Sequence, residues 1–526
     1  MARTQMKRLL AVSLLLLTSL AAEALTIEQY HPHDFIFKAA PPANPFDVEL
    51  TAEFSFAGTN GARLTVPGFY DGDGVWKIRF SPPKQGEWSM RTTSSLESLN
   101  GKKETNIICV SNRHPNIHGG LRVDPAHPHH FVYEDGTRYF LLGYEADWLW
   151  APEMTNAQRK VMHRLIDQMA SRGFNHVLVN VYAHDTRWAT NNSSEWDFGP
   201  AEIYPWEGNN LKPDHSRLNP KFFQLYDGMM NALQDKGIVA HIMIKVYNKR
   251  VKWPAKWSRD EERFFRYVVA RYQAYANVVW DYSKESFNEK DNHLQAKLVD
   301  LIRQNDAYKR LVTVHDDEAY EWDSELSRNV DFRTDQQHSD YAAAIKFDRA
   351  RRKYPIVNAE FGYEYGVDKL LTHDHGNQCV WQEQLRRAYH VYLSGGYGVY
   401  YYNNTAWDVI KPDPEAPGMK PFQLLKDSLS TLPYWRMNPA DELAIGGLCL
   451  ALPGEAYAFY VEGDSLTANL TGLISGTVKV EWINTWTGEK QKAVARPGLH
   501  KLKKPESFGT TPGLLIVRVT SPSVTP

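Results

Sequence analysis

The sequence predicts an α/β protein in which a (β/α)8 TIM barrel is flanked by an N-terminal and a C-terminal β-sandwich domain. Three observations support this fold class. Between residues 120 and 435, eight short apolar runs alternate with long amphipathic stretches, which is typical of parallel βα units. The segments 25–113 and 440–526 instead show short strand patterns separated by turn-forming residues. No glycine-rich phosphate loop follows any of the eight runs, which disfavours an open doubly wound sheet.

Residues 1–24 are predicted to be a signal peptide and not part of the fold. Basic residues precede an apolar run over 9–20, and Ala22 and Ala24 place small side chains around a cleavage site. The run is shorter than the roughly 20 apolar residues that a membrane span needs. We therefore expect an exported protein (periplasmic, cell-surface or extracellular) that has no membrane span once the signal is removed. A retained N-terminal anchor is the alternative.

The composition is that of a globular protein. Of 526 residues, 43% are hydrophobic and 23% are charged, and the net charge is -2. No basic block or stripe stands out, so nucleic acid is not expected as a partner. Cys109, Cys379 and Cys449 lie far apart and are predicted to be buried thiols. Aromatic residues reach 13% and favour a saccharide site, because aromatic rings stack on sugar faces, although large β-rich cores use them too.

The N-terminal segment, 25–113, is predicted to form a β-sandwich. The runs 48–54 and 76–80 alternate apolar and polar residues, as half-buried strands do. The acidic sequence 71–74, Asp-Gly-Asp-Gly, lies between two such strands. It lacks the remaining ligands of an EF-hand, so we predict a hairpin turn and not a calcium loop.

The central segment, 120–435, supplies the predicted barrel. Its strands are expected at residues 139–144, 176–181, 239–245, 278–282, 311–314, 330–332, 356–359 and 398–402. Helices between them include 156–172, 220–236, 260–275 and 292–304. A long loop over 183–219 follows the second strand, and long βα loops on a barrel usually build the substrate site.

The C-terminal segment, 440–526, returns to strand patterns. The runs 457–461, 478–482 and 514–519 are each predicted to be a strand. They predict a second β-sandwich, which either binds glycans or packs on the barrel.

Glutamates end two of the predicted barrel strands, where barrel enzymes hold their catalytic groups. Glu285 follows the fourth strand, and Glu360 directly follows the seventh. Cleavage of a glycosidic bond needs one carboxyl group that protonates the leaving oxygen and another that attacks or activates water. Glu285 and Glu360 are therefore the candidate catalytic pair, although the residues alone do not order their roles.

Polar and aromatic side chains at the other strand ends are less specific candidates, because nearly every strand offers some. From these we predict that His338 hydrogen-bonds the nucleophile and holds it ionised, and that Trp407 stacks under the sugar of the minus-one subsite. Trp148, Tyr182 and His184 are expected to line the same mouth. For each of them, a plain packing or loop role is the alternative. The further strand-end residues are Glu145, Asp147, Asp185, Lys245, Asn248, His315, Asp316, Asp317, Gln336, Gln337, Asn403 and Asn404.

The segments 277–285 and 355–362 resemble clan A glycoside hydrolases, whose fourth strand ends in Asn-Glu and whose seventh ends in the nucleophile glutamate. The barrel is most similar to the apiosidase-like branch of bacterial polysaccharide-degrading systems. The flanks agree, because 81–88 and 482–488 look like the sandwiches that precede and follow such barrels. The resemblance implies a retaining hydrolase of plant or algal polysaccharides or their oligosaccharides. Glu285 would be the acid/base and Glu360 the nucleophile, and no cofactor is implied.

Lys284 departs from this family pattern. It stands where the clan usually has the asparagine that binds the sugar 2-hydroxyl, so an acidic, a modified or a differently oriented minus-one sugar stays open. An inward ammonium group would oppose the raised pKa that a proton donor needs. We therefore expect Lys284 to face substrate or solvent. Asp281 and Glu289 stay open as alternative proton donors.

Two histidine clusters have the composition of metal sites. Residues 127–130 and 373–375 lack the helical HExxH spacing and a matched partner, so we predict solvated loop histidines and no metal site. The chain also has no Gly-x-Ser-x-Gly elbow, which leaves a lipase-type serine hydrolase unsupported.

Two rival functions remain open. A non-catalytic glycan- or matrix-binding protein would use the same barrel as a scaffold. An inverting hydrolase or a lyase is the second rival, and a carboxylate separation of ~6.5–9.5 Å would favour inversion, against ~5–5.5 Å for retention. The sequence predicts neither the sugar and linkage nor the oligomeric state.

Overall fold

A computed structural model of the chain describes residues 24–58, 61–155, 160–183, 203–317, 329–367, 377–407, 409–473 and 477–520. The fold is mixed α/β, as the sequence predicts. All but the last residue of the predicted signal peptide lies outside the described residues. No helix in those ranges has the length and hydropathy that a membrane crossing requires.

The N-terminal segment folds into two sheets, one with strand order β1-β8-β7-β3-β4 and one with order β2-β6-β5. A shared core lies between them, in which Phe54 stacks on Phe80 with ring centroids 3.8 Å apart. The hairpin predicted at 71–74 is confirmed, because β5 and β6 pair antiparallel around it. The strands are β1 (Leu25–Glu28), β2 (His33–Lys38), β3 (Leu50–Phe56), β4 (Arg63–Pro67), β5 (Phe69–Gly72), β6 (Val75–Phe80), β7 (Gly86–Ser94) and β8 (Lys103–Val110).

The central segment opens with a small antiparallel sheet and continues into a parallel one. The small sheet contains β9 (Leu121–Val123), β10 (Phe131–Tyr133) and β11 (Arg138–Tyr139). The strands that follow are β12 (Gly143–Glu145), β13 (His176–Asn180), β14 (Trp206–Asn209), β15 (Lys212–Leu218), β16 (Val239–Val246), β17 (Val278–Lys284), β18 (Val312–Thr313), β19 (His315–Asp316), β20 (Arg333–Asp335), β21 (Ile356–Asn358), β22 (Tyr363–Glu364), β23 (Gln378–Cys379) and β24 (Tyr397–Tyr400).

Nine of these strands form one parallel sheet, in the order β18-β17-β16-β13-β12-β24-β21-β20-β19. Its two end strands, β18 and β19, are separated along the chain by Val314 alone. The ladder therefore returns to its starting point and forms a nearly closed parallel barrel. The carboxyl ends of all its strands meet at one rim.

Helices follow most of the barrel strands. They are α1 (Ala151–Thr155), α2 (Val161–Ser171), α3 (Pro220–Asp235), α4 (Arg259–Tyr272), α5 (Asn292–Asn305), α6 (Tyr341–Arg351), α7 (Trp381–Leu393) and α8 (Met419–Leu429). The chain starts α3 and α4 as helix capping requires, with the side chains of Asn219 and Ser258 accepting from backbone N–H groups in the first turn. The predicted helix 156–172 is observed only as α2, and residues 156–159 lie outside the described part.

Two barrel strands lie off their predicted positions. The first, β12, begins at Gly143, because the start of the predicted run 139–144 pairs with β10 in the small sheet. The sixth, β20, covers Arg333–Asp335 and not 330–332. Its charged side chains are buried inside the protein, where the Arg333 Nε lies 3.2 Å from Asp348 Oδ2. An apolar run is therefore the wrong marker for this strand.

The C-terminal segment forms a six-stranded sheet of order β25-β27-β28-β33-β30-β31 and a three-stranded sheet of order β26-β29-β32. The first sheet contacts the barrel through Tyr460, whose ring stacks on Tyr389 of α7 at 4.6 Å. The strands are β25 (Asn438–Pro439), β26 (Ala444–Ile445), β27 (Leu448–Leu452), β28 (Ala456–Val461), β29 (Ser465–Asn469), β30 (Thr477–Asn484), β31 (Lys490–Ala493), β32 (Leu499–Lys503) and β33 (Gly513–Thr520).

Charged side chains join the N-terminal sheets to the barrel helices. The buried Arg271 of α4 donates to Asp71 of β5 at 2.8 Å and to Asp227 of α3 at 2.7 and 2.8 Å. Arg79 of β6 donates to the same Asp227 and to Asp34 of β2. Two arginines thus link three carboxylates across the junction, which ties the N-terminal segment to α3 and α4.

Cysteine and histidine side chains test two further predictions. All three cysteines are buried and unpaired, as predicted. The prediction of solvated histidines is wrong for His130, which is buried, whereas His129 is half-buried. His129 lies within 3.1 Å of the Tyr354 carbonyl, and the buried His130 bonds the Tyr397 hydroxyl at 2.8 Å. Residues 373–375 lie outside the described part of the chain.

Candidate active site

Glu285 and Glu360 both lie at the carboxyl rim of the barrel. Glu285 is the first residue after β17, and Glu360 is the second after β21. Glu285 has a backbone φ of 52°, a left-handed conformation that glutamate rarely adopts. Such conformations collect at functional sites, where the surrounding structure holds them in place. The turn at Glu285 ends the strand and begins the short helix over Ser286–Asn288.

Three groups hold the Glu360 carboxylate. The Tyr363 hydroxyl donates to its Oε2, Lys284 Nζ lies 3.0 Å from Oε1, and His315 Nε2 lies 3.6 Å from the same oxygen. Burial by itself would raise the pKa of this carboxyl group, but Lys284, His315 and the Tyr363 hydrogen bond together hold the pKa well below its ordinary value. Glu360 is therefore ionised at any pH near neutrality.

Glu285 has neutral hydrogen-bond donors as its closest partners. The Asn248 side chain at the end of β16 donates to its Oε1, and Asn288 Nδ2 donates to Oε2 at 3.1 Å. Asn248 is one of the strand-end candidates predicted from the sequence, and in the structure it hydrogen-bonds Glu285, the candidate acid/base.

The pKa of Glu285 lies above the ordinary glutamate value, whereas that of Glu360 lies below it. Burial raises the pKa of this carboxyl group to about 7, and the negative charge of Glu360 acts in the same direction. Lys284 and Lys249 oppose the shift. The rim therefore holds one carboxyl group that is ionised and one whose pKa is about 7. Such a separation of pKa values lets one group act as a base or nucleophile and the other as an acid.

Lys284 does not face substrate or solvent, so that expectation is wrong. Its side chain is only 2% exposed, and its ammonium group bonds Glu145, Asp147 and Glu360. Lys284 ends β17, Glu145 ends β12 with Asp147 two residues later, and Glu360 follows β21. Because these strand ends meet at one rim of the barrel, the three carboxyl groups surround the lysine. The interior ammonium lies 3.0 Å from Glu360 Oε1, and its charge lowers the pKa of Glu360 and opposes the rise in the pKa of Glu285.

The carboxylates around Lys284 outnumber it. Burial raises the pKa of Glu145 well above its ordinary value, and the charges of Glu360 and Asp147 add to that effect against the attraction of Lys284. Asp147 also accepts a hydrogen bond from the Tyr401 hydroxyl at 2.8 Å. One ammonium group thus faces three carboxyl groups, of which Glu145 is fully buried.

Asp281 and Glu289, the alternative proton donors, are each held by other partners in the protein. Asp281 is fully buried; its Oδ1 accepts from the backbone N–H groups of Ser283 and His315, and its Oδ2 lies 3.1 Å from His241. Glu289 is ion-paired with Lys256 at 2.6 Å. Neither carboxyl group has the position of Glu285.

The predicted substrate-binding residues fall into three groups. Trp407 lies at the site, with its ring 5.6 Å from that of Tyr363 and 5.5 Å from that of Tyr401. His338 also lies there, with its ring 6.1 Å from Tyr363; its charge lowers the pKa of Glu360, but His315 is the histidine within 3.6 Å of that carboxylate. His184 lies outside the described residues.

Trp148 and Tyr182 form the third group and are enclosed by packing contacts. The Trp148 indole donates to the Ala183 carbonyl at 3.0 Å, and the Tyr182 hydroxyl donates to Asn210 at 2.6 Å. Both side chains are at most 1% exposed. Their role in substrate binding stays a prediction.

Sequence reasoning missed Tyr363, Tyr401 and Lys249. Tyr363 follows Glu360 by three residues, and Tyr401 directly follows the last barrel strand, so their positions beside predicted site residues are the signals that could have found them. Lys249 follows Asn248, which was a candidate. Nothing in the spacing shows that these side chains turn toward the carboxylates.

One group of side chains in the described part of the chain has spacing that suits a cation. Ligand atoms of Glu28, His31 and His114 lie within 4.8 Å of one another, in the N-terminal segment. Glu28 is already paired with Arg113, whose Nε donates to it at 2.7 Å, so this group is a poor metal site.

Comparisons with known proteins agree with this geometry. The apiosidase-like catalytic domain matches residues 126–438, and a domain of unknown function, DUF5060, matches residues 26–95. None of the curated proteins matches the chain.

Three solved structures share the fold. A candidate glycoside hydrolase from Bacteroides vulgatus ATCC 8482 superposes with a TM-score of 0.79 at 20% identity, over 94% of this chain and 100% of that one. A family 5 glycoside hydrolase from the same organism reaches 0.58 at 16% identity, over 78% and 96%. A further glycoside hydrolase reaches 0.60 at 18% identity, over 78% and 98%. Because the catalytic-domain match covers more than half of the chain, this protein belongs to the apiosidase-like family and is a glycoside hydrolase.

Proposed function

We propose that this enzyme is a retaining glycoside hydrolase in which Glu360 is the nucleophile and Glu285 is the acid/base. The observation that carries the proposal is the contrast between the two carboxyl groups. Lys284 places a positive charge 3.0 Å from Glu360, the Tyr363 hydroxyl donates to the same carboxyl group, and the His315 imidazole lies 3.6 Å from it. Among the described residues, Glu285 accepts from the neutral amides Asn248 and Asn288, and its pKa is raised to about 7.

The chemistry follows in two steps. The Glu360 carboxylate attacks the anomeric carbon while Glu285 gives its proton to the departing glycosidic oxygen, which leaves a glycosyl ester on Glu360. Glu285, now ionised, then takes a proton from water as that water attacks the anomeric carbon and displaces Glu360. Both substitutions invert the anomeric centre, so the released sugar has the configuration of the substrate. Lys284 and Tyr363 hold the nucleophile ready without contacting the leaving group.

The substrate is proposed to be a plant or algal polysaccharide or its oligosaccharides, and the enzyme to be exported to the periplasm, the cell surface or the medium. The resemblance of 277–285 and 355–362 to polysaccharide-degrading hydrolases supports the substrate class. The signal-like residues 1–24 support export. The two groups of sheets that flank the barrel are proposed to be sandwich domains, with boundaries at 25–113 and 440–526 around a barrel over 120–435.

Product stereochemistry tests the retaining mechanism. A plant and algal polysaccharide panel identifies a substrate, and proton NMR during the first minutes of its hydrolysis then shows the anomer released. We expect the substrate's configuration in the first product. Release of the opposite anomer would contradict the mechanism and favour an inverting enzyme on the same barrel.

Matched amide variants test the residue roles. Glu360→Gln and Glu285→Gln are each expected to lower kcat by at least about 100-fold, because general acid catalysis alone contributes roughly 10²–10⁴. Glu289→Gln is the control, since Glu289 is a nearby glutamate paired with Lys256. A loss at Glu289→Gln as large as at Glu285→Gln would overturn the assignment of the proton donor.

A further inference from the structure

A chain of hydrogen bonds runs through the interior of the barrel, where branched apolar side chains are usual. The Tyr139 hydroxyl lies 3.1 Å from His176 Nδ1, and His176 Nε2 lies 3.1 Å from His241 Nδ1. His241 Nε2 in turn lies 3.1 Å from Asp281 Oδ2 on β17. All four side chains are buried and at most 1% exposed. The chain therefore connects the start of β13 to the strand that ends at the active-site rim.

The direction of the first hydrogen bond fixes the direction of the others. The Tyr139 hydroxyl donates its proton to the Asn175 carbonyl at 2.8 Å, so toward His176 its oxygen acts as an acceptor. The ring proton of His176 therefore lies on Nδ1. A neutral imidazole has one N–H donor and one acceptor nitrogen, so His176 Nε2 is an acceptor. His241 donates to it from Nδ1, which leaves His241 Nε2 as an acceptor too.

Neither histidine supplies a further proton. Burial lowers the pKa of His241 to about 3. Burial, and to a lesser extent the charge of His241, holds the pKa of His176 well below the ordinary histidine value. Both rings are thus neutral near pH 7. The 3.1 Å contact between His241 Nε2 and Asp281 Oδ2 needs a proton, and the Asp281 carboxyl group is the partner that can supply it.

The surroundings of Asp281 agree with a protonated carboxyl group. Burial raises its pKa to about 7, against the opposing effects of His315, Lys284 and the backbone donors. An ionised Asp281 would add negative charge to a region in which three carboxyl groups already contact Lys284. The titratable side chains around Asp281 are His241 of β16, Tyr282 and Lys284 of β17, and His315 and Asp316 of β19.

The other oxygen of Asp281 holds the backbone behind the nucleophile. Asp281 Oδ1 accepts from the backbone N–H groups of Ser283 at 2.9 Å and of His315 at 3.2 Å. Ser283 directly precedes Lys284, whose ammonium group lies 3.0 Å from Glu360 Oε1. The His315 ring lies 3.6 Å from that same oxygen. One carboxyl oxygen therefore ties together the two strand segments from which these groups reach Glu360.

We propose that Asp281 is a positioning residue that carries a proton and acts on Glu360 through the strand ends that it holds. Its Oδ2–H donates to His241, and its Oδ1 fixes the backbone of Ser283 and His315. This inference rests on the proposed glycosidase function and adds to it a residue that is buried behind the nucleophile. The proton of Asp281 points into the barrel, away from the leaving group, so Asp281 is not the proton donor of the reaction.

Asp281→Asn tests the proton, because asparagine has the donor and acceptor groups of a neutral aspartic acid. Its amide N–H can donate to His241 Nε2, and its oxygen can accept from Ser283 and His315. We expect kcat/KM, its acid limb and the free energy of unfolding to stay unchanged. An ionised Asp281 would instead accept from a His241 N–H, and the amide of the variant would then face a second donor. A clear loss of activity or stability in Asp281→Asn would therefore overturn the proposal.

Asp281→Leu tests the positioning role, because leucine fills the site without holding the backbone. We expect kcat/KM to fall by roughly 10–100-fold, since a displacement of about 1 Å can cost about 100-fold. The acid limb should move toward neutral pH, because Lys284 and His315 would hold the pKa of Glu360 down less firmly. An acid limb that stays in place in folded Asp281→Leu protein would contradict the role.

Thr313→Val is the matched control for this substitution. Thr313 of β18 is the register partner of Asp281, and its hydroxyl donates to the Phe332 carbonyl at 2.7 Å inside the barrel. The variant removes a buried hydrogen bond that leads neither to His315 nor to Lys284. Its acid limb should stay in place, and a shift as large as that of Asp281→Leu would overturn the specific role of Asp281.

Infrared difference spectroscopy detects the proton without any substrate. The full chain, with 13C-labelled aspartate carboxyl groups, is measured at pH 5, where an ordinary aspartate is ionised. Subtracting the spectrum of Asp281→Asn should leave a label-sensitive band of a protonated carboxyl group. Absence of this band would contradict the protonation of Asp281, whatever the activity. The band together with no glycan hydrolysis by the unmodified enzyme would contradict the glycosidase function and support the protonation.

Discussion

At the residue scale, two glutamates with the same intrinsic chemistry are set apart by their neighbours. Glu360 contacts an ammonium group and a phenol hydroxyl, whereas Glu285 contacts two amides. The sequence predicts both positions because each glutamate lies at or just beyond the end of an apolar run. It does not predict which carboxyl group is ionised, since Lys284 and Tyr363 reach Glu360 only through the folded backbone.

The two environments predict an asymmetric pH profile. Activity should fall above about pH 7, because Glu285 must be protonated to act as the acid and its pKa is raised to about 7. On the acid side, activity should persist below the ordinary glutamate pKa of ~4.3, because Glu360 stays ionised there. The measurement is kcat/KM from pH 3 to 10, with unfolding monitored at each pH. A profile whose basic limb lies at pH 5 would contradict the assignment of Glu285.

Lys284→Met tests the ammonium group beside the proposed nucleophile, Glu360. Its loss should raise the pKa of Glu360, move the acid limb of kcat/KM toward neutral pH and lower kcat by roughly 100-fold, as removal of one preorganised charge does. Breaking a buried ion pair should also lower the free energy of unfolding by about 3–5 kcal/mol. Lys245→Met is the matched control, because Lys245 lies on the neighbouring strand β16 and the substitution breaks its buried pair with Glu261 of α4. Its acid limb should stay in place, and an equal shift in both variants would exclude the specific role of Lys284.

At the scale of elements, patterns of apolar residues locate most of the barrel strands. They do not locate an interior strand whose side chains are polar. The predicted strands 176–181, 239–245 and 278–282 coincide with β13, β16 and β17 to within two residues at each end. Apolar patterning does not locate the sixth strand, because β20 is Arg-Thr-Asp and its charged side chains are buried and ion-paired. Periodicity reports the burial of apolar side chains, so it gives no signal where a buried strand is charged.

Arg333→Leu tests the charged interior of β20. Arg333 lies 3.2 Å from Asp348 and 3.5 Å from Asp335, and its loss would leave two buried carboxyl groups without their cation. We expect the free energy of unfolding to fall by about 3–5 kcal/mol at pH 8. Urea unfolding measures this change, and Arg91→Leu on the exposed face of β7 is the control.

The loss in Arg333→Leu should be smaller at pH 5. Burial raises the pKa of Asp335 to about 7 and that of Asp348 to about 6, above their unfolded values of ~3.9. Carboxyl groups with raised folded pKa values favour the folded state at low pH, and this contribution is lost as pH rises through about 4 to 7. In the variant, Asp335 and Asp348 are protonated at pH 5 and carry no charge, so they no longer need the arginine as a counter-ion. An equal loss at both pH values would contradict this account.

At the scale of the whole molecule, the order of the three segments and the α/β class follow from the sequence, and the contacts between segments do not. The switch from period-two to helical patterning near residue 120 and back near 440 marks the barrel. The junction depends on Arg79, Arg271 and three aspartates, and the bonded pairs among them lie up to 200 residues apart along the chain. No local pattern pairs them, and the same holds for Lys284 with Glu145 and Asp147, which meet only because the barrel closes.

Arg271→Met tests whether the N-terminal segment and the barrel are one cooperative unit. The substitution leaves Asp71 and Asp227 short of a buried partner, so the free energy of unfolding should fall by about 3–5 kcal/mol. Calorimetry of the unmodified protein should show one transition for both segments, which the variant moves to lower temperature. Arg266→Met, an exposed arginine on the same helix, is the control. A variant that melts at the temperature of the unmodified protein would contradict the role of the junction.

The central claim, that Glu360 attacks the sugar, is tested most directly by trapping the covalent intermediate. The enzyme is incubated with 2-deoxy-2-fluoro glycosides bearing good leaving groups, and intact-protein mass and peptide mapping locate any adduct. We predict one adduct, on Glu360, which forms in Glu289→Gln and is absent from Glu360→Gln. An adduct on any other residue would contradict the assignment of Glu360.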